Sequence, residues 1–216
     1  IVWNTKQIPE SEKADIMKKF SITELETARR NPVDFGKVLK DGTTSASSFG
    51  GYPKSMRWLN AICKYHEDQD ISPAILSLEQ GFWNRKDTSK NRQELEAFID
   101  ALSNYESEIQ KRKLSLIKSR EPVSLTLTRL VKITGQIPVI FMRPETGFSA
   151  YFITRENINW ETELKYPVIQ SYIASNTFNC NVTEVEVGYI DYYSGEFHEI
   201  SFSAKEIKSA VNELKD

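Results

Sequence analysis

The stretch PVSLTLTRLVKITGQIPVIFMRPETGFSAYFIT, residues 122–154, decides the fold class. Val123, Leu125 and Leu127 alternate with Ser124, Thr126 and Thr128, and Val131 and Ile133 keep the phase. A period of two puts alternate side chains on one face of an extended strand. Two further strand-like runs, 136–142 and 148–154, flank RPETG, where Pro144 and Gly147 supply turn geometry, so a hairpin is expected there. A sheet is predicted to begin just after Pro122.

Downstream, residues 161–178 read as a helix carrying Leu164, Val168, Ile169, Tyr172 and Ile173, with Pro167 near its first turn. Residues 182–193 and 197–202 form a second predicted hairpin around Ser194–Gly195. Ser203 and Glu206 have capping-box spacing, in which hydroxyl and carboxylate each satisfy an orphan amide. They open a C-terminal helix with Ile207, Val211 and Leu214 inward.

Upstream, the period is helical. Residues 10–20 place Ala14, Ile16, Met17 and Phe20 in a short helix-like pattern, and Ser21 with Glu24 forms a second capping box. That helix should stop near Asn31, because Pro32 disfavours helical geometry in the residue before it. Residues 54–67 and 73–83 read as core helices. From 88 to 113, Leu95, Phe98, Ile99, Leu102, Tyr105 and Ile109 recur at three and four residues, ending in the basic run Lys111–Arg112–Lys113 that complements a helix C-terminus. The Gly/Ser/Thr-rich DGTTSASSFGGYP, residues 41–53, is expected to be a mobile loop. The fold class expected is α/β (α+β), one domain over 1–216: a helical part, 1–120, then a core, 121–216, with a small mixed sheet flanked by helices.

Apolar residues make up 39% of the 216, with eleven Phe, nine Tyr and four Trp, enough to build a core without disulfides or a structural metal. Cys63 and Cys180 alone exclude a disulfide framework and a four-thiolate cluster, and are read as core thiols. No apolar run approaches the roughly 20 residues that span a bilayer, and the charged KQIPESEKADIMKKF opening is unlike a secretory signal, so a cytoplasmic, membrane-free protein is expected. Ile1 in place of an initiator Met leaves room for a segment before it. The net charge of −2 argues against bulk coating of nucleic acid, although residues 1–66 carry eleven Lys/Arg against seven Asp/Glu, which suits either a phosphate-facing surface or a solvated helix face.

Several local patterns carry a resemblance: Phe20–Ser21–Ile22–Thr23–Glu24–Leu25, then Asn31–Pro32–Val33–Asp34–Phe35, a helix Trp58–His66, the run Ile133–Thr134–Gly135–Gln136–Ile137–Pro138–Val139–Ile140, the strand Ala150–Thr154, and Tyr166–Pro167–Val168–Ile169–Gln170–Ser171–Tyr172, which is Q-x-x-Y-like with a shortened spacing. Together with the element order they resemble the RecB-like exonuclease branch of the PD-(D/E)XK nuclease superfamily. The resemblance implies a restriction-endonuclease-like core, two carboxylates and a lysine holding magnesium, and a metal-binding His, for which His66 is the candidate. The carboxylate positions depart from it. Pro138 stands where G-x-x-D would put its aspartate, and Thr154–Arg155 closes the strand that would present D/E-x-K. Arg155 can neither bind a cation nor act as a ready base.

Three functions follow. The first is a catalytically degraded nuclease fold, without cofactor, that binds DNA or RNA or scaffolds a nucleic-acid-processing assembly. Its candidate contacts are Arg29, Arg30, Lys37, Lys54 and Arg57, with Tyr52 and Trp58 available to stack, although Trp58 also fits core packing. The second is a magnesium-dependent nuclease with carboxylates relocated among Glu121, Glu145, Glu156, Glu161 and Glu163. The third is a protein-interaction module using Tyr189, Tyr192 and Tyr193. No phosphate loop, dinucleotide fingerprint, zinc-protease helix or nucleophile elbow occurs, and Cys63 with His66 lacks an orienting third group.

Overall fold

The computed structural model describes residues 18–33, 53–83, 85–126, 131–145, 147–155 and 159–214. Among these residues six helices flank a mixed sheet of six strands. In chain order these are β1 (Lys18–Ser21), α1 (Leu25–Arg30), α2 (Lys54–Asp68), α3 (Ile71–Gln80), α4 (Ser89–Arg112), β2 (Ser115–Thr126), β3 (Val131–Met142), β4 (Phe148–Thr154), α5 (Lys165–Tyr172), β5 (Val185–Asp191), β6 (Phe197–Ile200) and α6 (Ala204–Glu213). β3 pairs antiparallel with β2 and β4 and parallel with β1; β4 runs parallel to β5, and β5 antiparallel to β6.

Two cores lie on opposite faces. On one, α2–α4 bury Trp58, Leu78, Phe98 and Tyr105 against Val139, Phe141, Tyr151 and Phe197. On the other, Leu25, Tyr166, Ile169 and Ile207 cover Ile133, Ile140, Ala150 and Val187. Each large side chain buried this way contributes about 1.5–3 kcal/mol relative to exposure. The strict alternation of β4, Ala150 and Phe152 to one core and Tyr151 and Ile153 to the other, is why this strand reads as continuously apolar.

β3 breaks that alternation. Ile133, Ile137 and Ile140 face one core while Val139 and Phe141 face the other, so the pleat changes phase at Pro138. The register sets Arg120 of β2 opposite Pro138, and Arg120 has a left-handed φ of 55°. The irregularity is therefore shared by both strands.

Four expectations need correction. The end of the helix-like stretch 10–20 is strand, with Phe20 paired to Ile133, because the extended backbone of the N-cap Ser21 continues back through Lys18. β2 begins at Ser115, ahead of the expected start after Pro122 and across the 120/121 division. Its residues before Val123 are at most half-buried, so no apolar alternation marks them, and Pro122 is tolerated in an edge strand. The run 131–142 is one strand, without a break at Gly135–Gln136. The helix expected over 161–178 is three pieces: a 3₁₀ turn at Trp160–Thr162, α5, and a wide π turn at Ile173–Phe178 that Cys180 N–H closes on the Ala174 carbonyl at 2.9 Å. Residues 41–52 of the expected mobile loop lie outside the described residues. Among the described residues no helix is long and apolar enough to cross a membrane.

Candidate functional site

β2 borders one edge of β3 from Lys132 to Met142. On the other edge β1 pairs as far as Thr134 and β4 pairs from Val139. Among the described residues no strand meets that edge at Gly135–Pro138, and a cleft of about 300 Å³ opens there. Both local residues fit the gap. Pro138 has no N–H to leave unsatisfied at an unpaired edge. Gly135 lets the chain after β1 approach, since a Cβ would stand 2.6 Å from Ile22 Cγ2.

The segment that approaches is fixed by the capping box read from sequence. Ser21 N–H donates to Glu24 Oε2 at 2.8 Å, and the Ser21 hydroxyl accepts from Thr23 N–H at 3.3 Å. Ser21 and Thr23 thus line one wall, Ser55 and Met56 from the first turn of α2 another, and Thr154 at the end of β4 a third. Lys165, the first residue of α5, is the one charged side chain among the described lining residues.

Lys165 is buried, with Nζ 3.0 Å from Glu163 Oε2 and 5.3 and 4.9 Å from the ring centroids of Phe152 and Tyr166. The other oxygen of Glu163 lies 3.7 Å from Arg30 Nη2. Glu26 accepts the Leu164 N–H at 2.6 Å and stands 3.8 Å from both Arg29 and Arg30. Arg29 donates to Glu213 Oε1 at 2.7 Å and to the Thr162 carbonyl at 2.9 Å. Arg29 and Arg30 therefore tie α1 to the segment leading into α5 and to the end of α6. Arg30 keeps its side chain 63% exposed, with its nearest carboxylates 3.7 and 3.8 Å away.

Pro138 and Thr154 both line the cleft, and Arg155 follows Thr154 in sequence. Gln170 and Tyr172 do not line it. Gln170 is fully buried and bonded to backbone at Val182 and Phe202, and the Tyr172 hydroxyl donates to the Pro122 carbonyl at 3.2 Å. Lys54 meets Glu94 and Tyr193, and Arg57 packs over Phe82 with its Nη1 buried and unpartnered. Trp58 is wholly buried edge-on against Tyr105, which removes it from stacking on a ligand. Lys37 and Tyr52 lie outside the described residues.

His66 is a packing residue. Its ring lies between Tyr65, Tyr105 and Phe141 and shares a 2.7 Å hydrogen bond with the Tyr105 hydroxyl, and burial pushes its pKa down to about 4. Among the described residues no three His, Cys, Asp or Glu side chains gather as a metal set. Glu121 is paired to Lys118 at 2.8 Å, Glu145 and Glu161 are exposed, Glu163 is held as above, and Glu156 is outside the described residues. The hairpin tyrosines are turned inward: Tyr189 stacks on His198, while Tyr192 and Tyr193 pack on Phe98.

Lys165 is the residue that sequence reasoning missed. No local pattern marks it: Glu163–Leu164–Lys165 runs from a 3₁₀ turn into the first residue of α5, and only the fold brings Lys165 to the cleft.

No protein-family model matches the sequence, and a search of curated proteins finds no match. Among solved structures, the chain is similar to SSO0001 at 10% identity and a TM-score of 0.27, over 82% of this chain and 81% of the other. A likeness of that size carries no argument about fold or function.

Proposed function

We propose that this chain is a nuclease-fold protein that binds nucleic acid without hydrolysing it, seating the sugar–phosphate backbone in the cleft beside Pro138. The observation that carries the reading is the exchange of charge in that cleft. Pro138 stands where the resemblance would put one carboxylate, the strand that closes on Thr154–Arg155 supplies none where it would put the other, and the charge among the described lining residues is the ammonium of Lys165. A magnesium ion needs a gathered shell of oxygens that includes carboxylate. A phosphodiester needs the opposite, a cation with neighbouring hydroxyl and amide donors, as Ser55, Thr154 and Gln136 provide. The split in a mixed sheet covered by helices on both faces supports a restriction-endonuclease-like core around it.

The test is fluorescence polarisation of labelled single- and double-stranded oligonucleotides at two salt concentrations, with and without magnesium, and gels of the products. Expected is binding that weakens as salt rises, with intact oligonucleotide in every lane. Magnesium-dependent cleavage would overturn the reading in favour of relocated carboxylates. Absence of binding at low salt would overturn it in favour of a protein partner.

A further inference from the structure

Resting on that reading, we propose that Lys54, Arg57, Arg85 and Arg155 at the margin of the cleft form a seat for one phosphate group, filled by a backbone phosphodiester of the bound strand. Lys54 precedes Ser55 and Arg155 follows Thr154, and both of those neighbours line the cleft. Tyr193 gathers the pair. Lys54 Nζ is 2.5 Å from its hydroxyl and 5.1 Å from its ring centroid, and the Arg155 guanidinium carbon is 5.3 Å from the same centroid. Glu94 extends the group, with Lys54 2.5 Å from Oε1 and Arg85 2.9 Å from Oε2. Phe82 completes it, carrying the guanidinium carbons of Arg85 and Arg57 at 4.3 and 5.6 Å.

Among the described residues Lys54 and Arg85 share the single carboxylate of Glu94; Asp191 lies one step further out with its Oδ1 taken by the Tyr193 N–H at 2.7 Å, and Glu79 and Asp87 line the surface on the far side of Arg85. Arg57 Nη1 is buried with no hydrogen-bond partner, a donor that costs free energy until something accepts from it. Burial and the neighbouring Arg85 push the Arg57 guanidinium down, outweighing the opposite pull of Glu94. α2 begins in the same place without a side-chain cap, which adds the positive end of a 15-residue helix.

Phosphate is the anion that this geometry suits. Its oxygens accept from several directions at once, which matches three guanidinium forks and an ammonium on three separate segments. The Tyr193 ring already carries two cations, so it is not open to a base. The seat therefore reads backbone and not sequence.

The experiment pairs the double variant Lys54→Gln/Arg155→Ala with wild type. Thermal shift is read with inorganic phosphate, and fluorescence polarisation with an oligonucleotide across salt. Expected is a phosphate-induced rise in Tm for wild type that the double variant loses. Oligonucleotide affinity should fall about tenfold for each charge-assisted bond removed, and the slope of log K against log salt by about one for each cation. Arg155→Lys, which keeps the charge, should recover most of the affinity. A phosphate shift that survives in the double variant would overturn the seat, as would unchanged oligonucleotide binding, and the nucleic-acid reading would then stand without it. A variant-sensitive phosphate shift in a protein that binds no oligonucleotide would support the seat as a free-phosphate site and sink the nucleic-acid reading.

Discussion

Gln170 and Phe202 exchange two hydrogen bonds inside the core: Gln170 Nε2 donates to the Phe202 carbonyl at 3.0 Å, and its Oε1 accepts the Phe202 N–H at 2.8 Å. The same Nε2 donates to the Val182 carbonyl at 2.8 Å. A single amide thus holds α5 to the segments that lead into β5 and α6. Buried backbone groups must be satisfied, and here a side chain does what a strand partner usually does.

Gln170→Leu keeps the volume and strands one N–H and two carbonyls in a site with no exposed surface. The expected loss is about 3 kcal/mol, from buried groups at about 1–3 kcal/mol each. Urea denaturation should show a lower midpoint with an unchanged slope, and a loss below about 1 kcal/mol would contradict this role.

The sequence made some elements plain because local chemistry and tertiary need agree there. Ser21 with Glu24 and Ser203 with Glu206 both form reciprocal capping boxes, and the three-and-four spacing of α4 gives one helix with Thr88 as its cap and Lys113 in the left-handed conformation at its end. The RPETG turn likewise joins β3 to β4, with Gly147 at φ 103°. β1 was hidden because four residues that pair parallel with Val131–Thr134 carry no alternation of their own. The cleft was half legible. Pro138 and Thr154 could be placed by pattern, whereas Lys165 belongs to it only because Glu26, far away in sequence, holds the Leu164 N–H.

His66 makes stability depend on pH. Its pKa falls from 6.5 unfolded to about 4 folded because burial disfavours the imidazolium. On acidification the unfolded chain therefore takes up the proton first, so stability is full above about pH 6.5 and declines as pH falls towards 4. With the partial exposure of the ring discounted, the loss is about 2 kcal/mol. Urea titrations at pH 7, 5.5 and 4.5 should show it, and His66→Gln should be less steep over that interval. Equal slopes for the two proteins would remove His66 as the cause.

Gly135 and Ile22 should be coupled. A methyl at Gly135 meets Ile22 Cγ2 at 2.6 Å and Cβ at 3.3 Å, and Ile22 is itself packed at 2% exposure. Gly135→Ala is expected to cost about 1–3 kcal/mol, as overpacking does. Ile22→Ala costs a cavity alone but makes room for that methyl, so the double variant should be more stable than the sum of the singles by about 1 kcal/mol. Strict additivity in a double-mutant cycle would show that the strand edge moves instead.

Lys165 and Glu163 separate the binding reading from a metal reading, because the two respond to charge in opposite senses. The pair is buried at 3.0 Å, so replacing either member removes a close buried charge partner, with Arg30 still 3.7 Å from Glu163, and Lys165→Met should cost about 3 kcal/mol of stability. Binding should divide the two substitutions even after that shared cost. Lys165→Met removes the cation that faces the cleft and should weaken oligonucleotide affinity by about tenfold. Glu163→Gln keeps a hydrogen-bonding partner for Lys165 while deleting one negative charge, so affinity should rise and the salt slope steepen. Were Glu163 a ligand to a divalent cation, the same substitution would instead abolish any magnesium-dependent binding. Polarisation titrations of both variants at matched folded fraction, with and without magnesium, decide between these opposite signs.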